Sequence, residues 1–534
     1  MATLTAQKTL GAYYTDEAVV DYLVKWAIRG PSESVLDPSC GDGAFLEAAA
    51  KRLRKLGARH ATPWGIDIDG RALRAATNRL SHAKLLNKNF FAVRPSEIPS
   101  FDVVIGNPPF IRYQTFNEDK RGDALGRARE AGVVLPHLSS SWAPFVVHSV
   151  GFLKPQGRLA MVVPAELGHA AYAGAVLRFL VAKFGRINVV MFRKKLFPEL
   201  SQDTMLLLCE EQGKCCHWFG VLPTESIEDV ANPNTAALPV DIEAIRSGRS
   251  RLKYYLIARK ARCLYEGLRE EPGVARLGDA ADVGIGYVTG SNAYFHLTQN
   301  EVSEWGIPTR YLRRAVLSLA GFQGAVLRQI DWRELQSAGD KIYLLSIPPT
   351  TEKALSRPVR DYLQHGIKLG VPLRYKTRVR EFWYSVPHVA TGNALLSYMS
   401  GTSPKLALNR AGVVAPNTLH VVRFKEPKNA KPFVAGWYTS LTRLSCELEG
   451  HALGGGMLKL EPTEAEQVLV GAPKPTDLPE LLAGLDAGLR ARTEQKVIDR
   501  ADSYILRRKI GLSGTECSIL QEAANFMLSW RLHR

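Results

Sequence analysis

Two polar motifs stand at the ends of apolar, strand-like runs, where a folded chain would present them to a ligand. Residues 37–46 read DPSCGDGAFL, so an acid ends one run and a glycine-rich turn leads into a helix-like segment. Gly41 and Gly43 let the backbone approach a ligand closely, as a nucleoside-binding turn requires. The next run ends in GIDID, which places Asp67 to bind ribose hydroxyls. The alternative for Asp67 and Asp69 is that both are ordinary loop acids.

The segment NPPF follows the apolar run FDVVIG, and its prolines, Pro108 and Pro109, restrict the backbone. A planar amine that becomes tetrahedral needs acceptors, and the Asn107 side-chain oxygen and the Pro108 carbonyl are suitable ones. These two acceptors stabilise the positive charge that develops on the amine nitrogen as it attacks a sulfonium methyl group. The reaction needs no metal ion. Phe110 offers a face for stacking a flipped-out base. Alone, the segment also fits a Pro-Pro turn capped by asparagine; with the upstream motifs it predicts amine methylation.

The elements that must position these motifs alternate along the first two hundred residues. Strand-like runs such as SVLDPS, PWGIDID, GRLAMVVPAE, INVVMF and TMLLLCEE are separated by helical stretches such as AFLEAAAKRLRKL and AYAGAVLRFLVAKF. This alternation predicts an α/β doubly wound sheet with ligands at the carboxyl ends of its strands. We expect a catalytic domain over 1–220, a mixed α+β domain of irregular strands over 245–468, and a helical C-terminal segment over 481–534.

The composition is that of a soluble globular protein, which excludes global disorder and a coiled coil. The chain has 534 residues, 46% hydrophobic and 23% charged, and a formal net charge of +17. A large basic excess suits a polyanionic partner, although a solubility surplus is the alternative. Seven scattered cysteines predict reduced thiols and no metal site. Without a membrane-spanning run or a signal layout, we expect a cytoplasmic protein.

Over residues 8–210 the chain resembles the gamma class of amino-methyltransferases of bacterial restriction–modification systems. The resemblance lies in GAYYTD, DPSCGDGAFL, GIDID and FDVVIGNPPF, which occur in this order. It implies a class I, Rossmann-like fold that uses S-adenosylmethionine, followed by a target-recognition domain. It also implies double-stranded DNA as substrate, an adenine flipped out of the duplex, and a catalytic NPPF motif.

The resemblance also implies roles for individual residues, which we carry over position by position. Thr15 and Asp37 would contact the methionine end of the cofactor, Asp67 its ribose and Ile68 its adenine. Asn89, where the family usually has an acid, would bind the adenine amine. Phe197 would sandwich the flipped base with Phe110, although a core phenylalanine is the alternative. The complete predicted cofactor set is Thr15, Asp37, Pro38, Ser39, Cys40, Gly41, Asp67, Ile68, Asn89, Phe90 and Asn107.

Basic residues in three segments are candidates for DNA contact. Segments of the second half, among them GIGYVTGSNAYFHL, NTLHVV and GGGMLKLEP, resemble the family's target-recognition region. Each segment has a structural alternative. The first could be a solvated charged turn, the second a strand with a basic outer face, and the third a tight turn between strands. The candidates are Arg193, Lys194 and Lys195; Lys376, Arg378 and Arg380; and Lys459.

Other functions remain open at this stage. A cytosine-N4 methyltransferase is chemically adjacent, but its motif usually begins with serine, so Asn107 favours adenine. Enzymes that methylate a glutamine of release factors share the motif but lack a long basic C-terminal region. RNA as substrate and a non-catalytic DNA-binding subunit are further alternatives. GAYYTD begins at residue 11, so we expect no nuclease domain ahead of it. The prediction is a monomer on DNA, partnered by a separately encoded endonuclease.

Overall fold

The chain divides into two compact units, one reaching Leu256 and one spanning Ile257–Leu532. The computed structural model describes residues 15–111, 118–168, 170, 172–192, 204–230, 236–247, 251–453, 455–472 and 478–532. The domain boundaries at 1–220, 245–468 and 481–534 stay predictions.

The first unit is built on a nine-stranded sheet of order β3-β2-β1-β4-β5-β7-β6-β8-β9. Strands β3, β2, β1, β4 and β5 run parallel to one another, whereas β7 is antiparallel to both β5 and β6. The doubly wound α/β fold class is confirmed. The strands are β1 (Val35–Asp37), β2 (Trp64–Asp67), β3 (Lys84–Asn87), β4 (Phe101–Gly106), β5 (Leu153–Pro164), β6 (Phe184–Phe192), β7 (Thr204–Gln212), β8 (Trp218–Thr224) and β9 (Leu238–Pro239).

The central strands form where apolar runs are buried on both faces, as a sheet covered by helices requires. Residues 103–105 of β4 and 159–163 of β5 have no exposed surface. The helices of this unit are α1 (Glu17–Ala27), α2 (Ala44–Lys55), α3 (Gly70–Arg79), α4 (Glu118–Glu130), α5 (Trp142–Val150), α6 (Ala173–Lys183), α7 (Ile227–Val230) and α8 (Ile242–Arg246). Every residue of α5 is buried, whereas α3 keeps only Leu73 and Ala76 buried.

The second unit contains a five-stranded sheet of order β11-β19-β16-β18-β14 and three small sheets, β10-β22, β12-β15-β13 and β17-β21-β20. Two apolar cores are packed around these strands. The strands are β10 (Val274–Arg276), β11 (Ala281–Ile285), β12 (His296–Leu297), β13 (Leu312–Arg314), β14 (Val326–Leu327), β15 (Tyr343–Leu345), β16 (Ala394–Ser397), β17 (Met399–Ser400), β18 (Leu406–Asn409), β19 (Leu419–Phe424), β20 (His451–Leu453), β21 (Met457–Lys459) and β22 (Leu469–Gly471).

The helices of the second unit include four in a helical C-terminal segment, as the fold-class prediction has it. They are α9 (Arg259–Leu268), α10 (Leu277–Ala280), α11 (Asn292–Phe295), α12 (Gln299–Trp305), α13 (Gln329–Ser337), α14 (Arg357–Lys368), α15 (Tyr375–Arg378), α16 (Ala430–Gly436), α17 (Ser440–Glu449), α18 (Pro462–Ala465), α19 (Leu478–Arg490), α20 (Glu494–Ala501), the π-helix Asp502–Ile510 and α21 (Gly514–Leu532). Helix α21 packs on α17, where buried Arg531 pairs with buried Glu447 at 2.8 Å.

None of the helices in the described part of the chain is both long enough and apolar enough to cross a membrane.

Candidate functional site

Three candidate residues meet at one edge of the sheet in the first unit. Asp37 ends β1, Asp67 ends β2, and Asn107 directly follows β4. The strand order reverses between β1 and β4, and loops leaving the two sides of such a reversal part and open a crevice for a ligand. The register, with Leu36 opposite Val104 and Asp37 opposite Gly65, aligns the three strand ends. The sheet therefore assembles residues that are up to 70 positions apart in the sequence.

Asn107 is held in one orientation by the first residue of the described chain. Its side-chain nitrogen Nδ2 donates to Thr15 Oγ1 at 3.0 Å, and its backbone carbonyl accepts from Ser39 Oγ at 3.2 Å. Its side-chain oxygen Oδ1 is buried and has no hydrogen-bond partner among the residues that the structure describes. A buried acceptor without a partner is costly, so this oxygen is suited to a ligand that brings an N–H donor.

Asp37 is the most deeply buried carboxylate of the site. Its Oδ1 accepts from the backbone nitrogen of Ser39 at 3.0 Å, while Oδ2 is buried without a partner in the described part of the chain. Burial, with a smaller contribution from the charges of Asp67 and Asp42, raises the pKa of Asp37 to about 8. A cationic ligand group beside Oδ2 would lower this pKa again. The pocket thus fits a ligand that carries positive charge, as a sulfonium nucleoside does.

Only a glycine at position 106 leaves room for the Asp37 carboxylate. A Cβ atom at position 106 would lie 2.6 Å from Asp37 Oδ1, so any side chain there would displace the acid. The glycine that ends β4 therefore lets Asp37 and Asn107 approach each other across adjacent strands.

The glycine-rich turn is tied to the end of β2. The backbone nitrogen of Gly41 donates to Asp67 Oδ2 at 2.8 Å, and that of Asp69 donates to Asp67 Oδ1 at 2.8 Å. Gly41 and Gly43 have left-handed φ angles of 51° and 87°. Burial raises the pKa of Asp67. Since each carboxylate oxygen accepts more than one hydrogen bond, Asp67 keeps capacity for hydroxyl donors.

Ser141, which the sequence reasoning missed, holds the loop after the two prolines. Its hydroxyl donates to the carbonyl of Pro109 and accepts from the backbone nitrogen of Ile111 at 2.8 Å. The backbone nitrogen of Ser141 donates to the carbonyl of Ile111 at 3.0 Å. The available signal was a serine directly before the apolar helix α5, although its side chain binds a distant loop rather than the helix.

The remaining predicted residues of this edge differ in exposure. Ile68 is exposed, whereas Phe110 and Phe90 are buried. The Phe90 ring packs on Phe145 and His148, with centroids 4.7 and 4.6 Å away. Pro38 and Cys40 are buried in the same turn as Ser39. The Asn89 side-chain oxygen accepts from the backbone nitrogen of Phe91 at 3.2 Å, so it caps a short helical turn.

In the second unit, the predicted DNA-contacting residues fall into two groups. Lys376 and Arg378 are exposed on α15. Arg380 instead donates to the carbonyls of Val288 and Thr289 at 2.7 and 2.9 Å, and Lys459 pairs with Glu461. Phe197, Arg193, Lys194 and Lys195 lie outside the described residues.

The glycines before Lys459 form a tight turn between strands. Gly455 and Gly456 have φ angles of 78° and 73° and connect the antiparallel strands β20 and β21. A Cβ atom on Gly456 would meet Leu532 of α21 at 3.2 Å. The close approach that Gly456 allows is therefore made to the C-terminal helix of the same unit.

Comparisons with known proteins agree with this organisation. Residues 1–219 match the family model N-6 DNA Methylase, and residues 249–506 match the C-terminal domain of the type II methyltransferase M.Eco57I. The type II methyltransferase M.XamI of Xanthomonas campestris pv. amaranthicola is 24% identical over 470 residues, which are 86% of this chain and 85% of M.XamI. M.AccI of Acinetobacter calcoaceticus is 19% identical over 484 residues, again 86% of this chain and 85% of the relative.

A solved structure shares the fold over nearly the whole chain. The type IIL restriction-modification enzyme MmeI, solved in complex with DNA, matches 96% of this chain and 75% of its own, with a TM-score of 0.54 and 12% identity. The first half of the chain is thus similar to the N-6 DNA methylases, and the second half is similar to the C-terminal domain of M.Eco57I. Two type II methyltransferases align across both halves.

Proposed function

We propose that this DNA methyltransferase transfers a methyl group from S-adenosylmethionine to the N6 amine of an adenine flipped out of duplex DNA. The observation that carries the proposal is the hydrogen bonding of the Asn107 side chain. Its nitrogen donates to Thr15, and its buried oxygen has no partner within the described ranges. The N6 amine of adenine has two N–H donors, so one of them satisfies this oxygen when the base enters the pocket.

In this proposal the NPPF motif acts on the target amine through acceptors. Asn107 Oδ1 and the Pro108 carbonyl accept the two amine hydrogens and draw the nitrogen out of the plane of the base. The acceptors bind more tightly as positive charge develops on the nitrogen, which lowers the barrier selectively. Ser141 and Pro109 hold the loop so that these oxygens do not have to reorganise.

The cofactor pocket in the proposal is formed by the ends of β1 and β2. S-adenosylmethionine supplies an electrophilic methyl group on a sulfonium sulfur. Asp37 and Thr15 would hold its cationic methionine end, together with the turn Pro38, Ser39, Cys40 and Gly41. Asp67 would bind the ribose, and exposed Ile68 would pack on the adenine ring. Asn89 would accept from the adenine amine, with Phe90 beside it.

The finer steps of the proposal concern DNA and the biological setting. Lys376 and Arg378 have exposed charges for phosphates, whereas Arg380 and Lys459 are engaged within the protein. Stacking of the flipped base between Phe110 and Phe197 is part of the proposal. So are a monomer on DNA and a separately encoded endonuclease that cuts the unmodified site.

The deciding experiment follows transfer of labelled methyl groups to unmodified duplex DNA, with chromatography of the hydrolysed bases. We expect label in N6-methyladenine, and loss of activity by at least about a hundredfold in Asn107→Ala, as for other pre-organised acceptors. Asn300→Ala, an exposed asparagine in the second unit, is the matched control and retains the wild-type rate. Asn300→Ala should keep the wild-type melting temperature within about 2 °C. Asn107→Ala should melt no lower than the wild type, since it removes a buried unsatisfied oxygen and no apolar packing.

Three outcomes would overturn parts of the proposal. Label in N4-methylcytosine would make the target cytosine. No label on any DNA, with DNA binding intact, would favour a binding subunit. An Asn107→Ala variant that methylates at the wild-type rate would refute the role given to the Asn107 oxygen.

A further inference from the structure

One short segment of the second unit, residues 367–379, concentrates exposed apolar side chains; we name it the ridge. Ile367, Leu369, Leu373, Tyr375 and Val379 are 44%, 52%, 80%, 66% and 69% exposed. They are five of the thirteen large apolar side chains that are exposed in the described part of the 534-residue chain. Single exposed hydrophobic residues are normal on a soluble protein, but a cluster of this density marks an interaction surface.

The ridge is also purely cationic. Lys368, Arg374, Lys376 and Arg378 are exposed, and residues 367–379 contain no acid. The Lys376 ammonium and the Arg378 guanidinium lie 5.4 and 5.5 Å from the centre of the Tyr375 ring. A partner must therefore be anionic and must also offer apolar or flat faces at the same place.

The backbone beneath the ridge is held firmly. The buried hydroxyl of Thr377 donates to the carbonyls of Val371 and Arg374 at 2.5 and 3.0 Å. The Arg374 guanidinium donates to Ser291 Oγ at 2.7 Å, and Arg380 binds the carbonyls of residues 288 and 289. A rigid support lets exposed apolar side chains press into a partner instead of folding back onto the protein.

We propose that the ridge is a DNA wedge. Leu373, Tyr375 and Val379 enter an unstacked base step, while Lys376 and Arg378 hold the flanking phosphates. Apolar side chains that enter a duplex between base steps bend it, and the additional phosphate binding offsets the cost of unstacking. The class of partner rests on the proposed function, since a DNA methyltransferase already engages a duplex.

Two other partners fit the ridge less well. A lipid surface is bound by long amphipathic helices. The ridge contains only the last two residues of α14, the three-residue 3₁₀ helix Val371–Leu373 and the four-residue α15. A second copy of this chain would place a cationic surface against itself, which costs energy by repulsion. DNA combines the required negative charge with flat apolar faces.

Permanganate, which oxidises unstacked thymines, tests the wedge on a duplex selected from a random pool for binding to the protein. We expect thymines other than the partner of the flipped adenine, which are protected in free duplex, to react in the complex. The double variant Leu373→Ser/Val379→Ser should lose this reactivity and keep only that of the partner thymine. The same variant should bind at least about fivefold more weakly, with an unchanged dependence of affinity on salt, because every cation that binds a phosphate is still present. Ile330→Ala, 54% exposed on α13, is the matched control and leaves both readouts unchanged.

The contribution of the two cations of the ridge is measured by the salt dependence of DNA affinity. Lys376→Ala/Arg378→Ala should reduce the slope of log affinity against log salt by about 2, since each cation that no longer neutralises a phosphate lowers it by close to one unit. Persistence of the other reactive thymines, away from the flipped adenine, in the serine double variant would overturn the wedge. So would loss of binding to phosphatidylglycerol vesicles, or of a dimer, in that variant while DNA affinity is unchanged. A protein that unstacks DNA through the ridge but transfers no methyl group would refute only the proposed function.

Discussion

At the scale of single residues, the geometry of the site depends on a hydrogen bond across 92 positions of sequence. The Thr15 hydroxyl accepts from the Asn107 amide nitrogen, and this contact decides which end of the amide faces the pocket. An asparagine without such a partner can present its nitrogen and repel an amine donor. Thr15 is therefore a positioning residue for the reaction proposed here.

Thr15→Val removes the acceptor but keeps the shape of the side chain. We expect the single-turnover methylation rate at saturating cofactor to fall by about ten- to a hundredfold, because a misoriented amide no longer accepts from the target amine. Thr15→Ser keeps the hydroxyl and should restore most of the rate. A Thr15→Val rate equal to that of wild type would show that packing alone orients Asn107.

Asp37 makes the stability of the folded protein depend on pH. Burial raises its pKa to about 8, whereas an unfolded aspartate titrates near about 3.9. The folded state therefore binds the Asp37 proton more tightly than the unfolded state does. The stability that this proton contributes is complete below about pH 4 and is lost as pH rises through about 8. We expect the melting temperature of the wild type to fall between pH 6 and pH 9 more steeply than that of Asp37→Asn, which has no charge to bury.

The same acid predicts proton release on cofactor binding. At pH 7 most Asp37 carboxyls are protonated, and a cationic ligand group favours the ionised form. Calorimetry in two buffers of different ionisation enthalpy should show close to one proton released, and Asp37→Asn should bind weakly without release. An enthalpy independent of buffer in the wild type would contradict this assignment.

At the scale of elements, the sequence allowed us to predict which residues the strand ends bring together. It did not allow us to predict which side chains form hydrogen bonds between separate loops. Asp37, Asp67 and Asn107 were predictable because strand ends of a doubly wound sheet share one edge. The Thr15–Asn107 bond and the Ser141 bridge were not, since both depend on tertiary packing of separate loops. Likewise, nothing local indicates that the Arg380 guanidinium turns inward to two carbonyls while Arg378, two residues earlier, stays exposed.

Helix α21 is fixed at its last described turn by a buried ion pair. The Arg531 guanidinium binds Glu447 and the carbonyls of Gly401, Thr402 and Gly456. Arg531→Met leaves the Glu447 carboxylate buried without its partner and should destabilise the second unit by about 3–5 kcal/mol. Equilibrium urea unfolding measures this change.

An exposed ion pair of the same unit gives the control for that variant. Lys260 and Glu522 are 3.5 Å apart with both side chains more than half exposed. Lys260→Ala should cost less than about 1 kcal/mol. The double variant Arg531→Met/Glu447→Leu should recover part of the loss, because it removes the unpaired charge. Equal effects of Arg531→Met and Lys260→Ala would show that burial of the pair has no consequence for stability.

At the scale of the whole molecule, the net charge of +17 predicts how DNA is held. Cations that neutralise phosphates release condensed counterions, so affinity falls steeply with salt. We expect DNA affinity to fall by about 10³–10⁵ between 50 and 200 mM salt if about 6–10 phosphates are contacted. Filter binding or fluorescence anisotropy across this range measures the slope. An affinity independent of salt would show that the charge excess serves solubility alone.

The two buried oxygens without partners, on Asp37 and Asn107, also affect how this protein responds to selection for heat resistance. Unsatisfied buried groups weaken the folded state, and substitutions that remove them tend to stabilise it. A library sorted only for survival at high temperature should accumulate changes at positions 37 and 107, and the proteins so obtained would be inactive. Directed evolution of a thermostable form therefore has to screen for methyl transfer at every round.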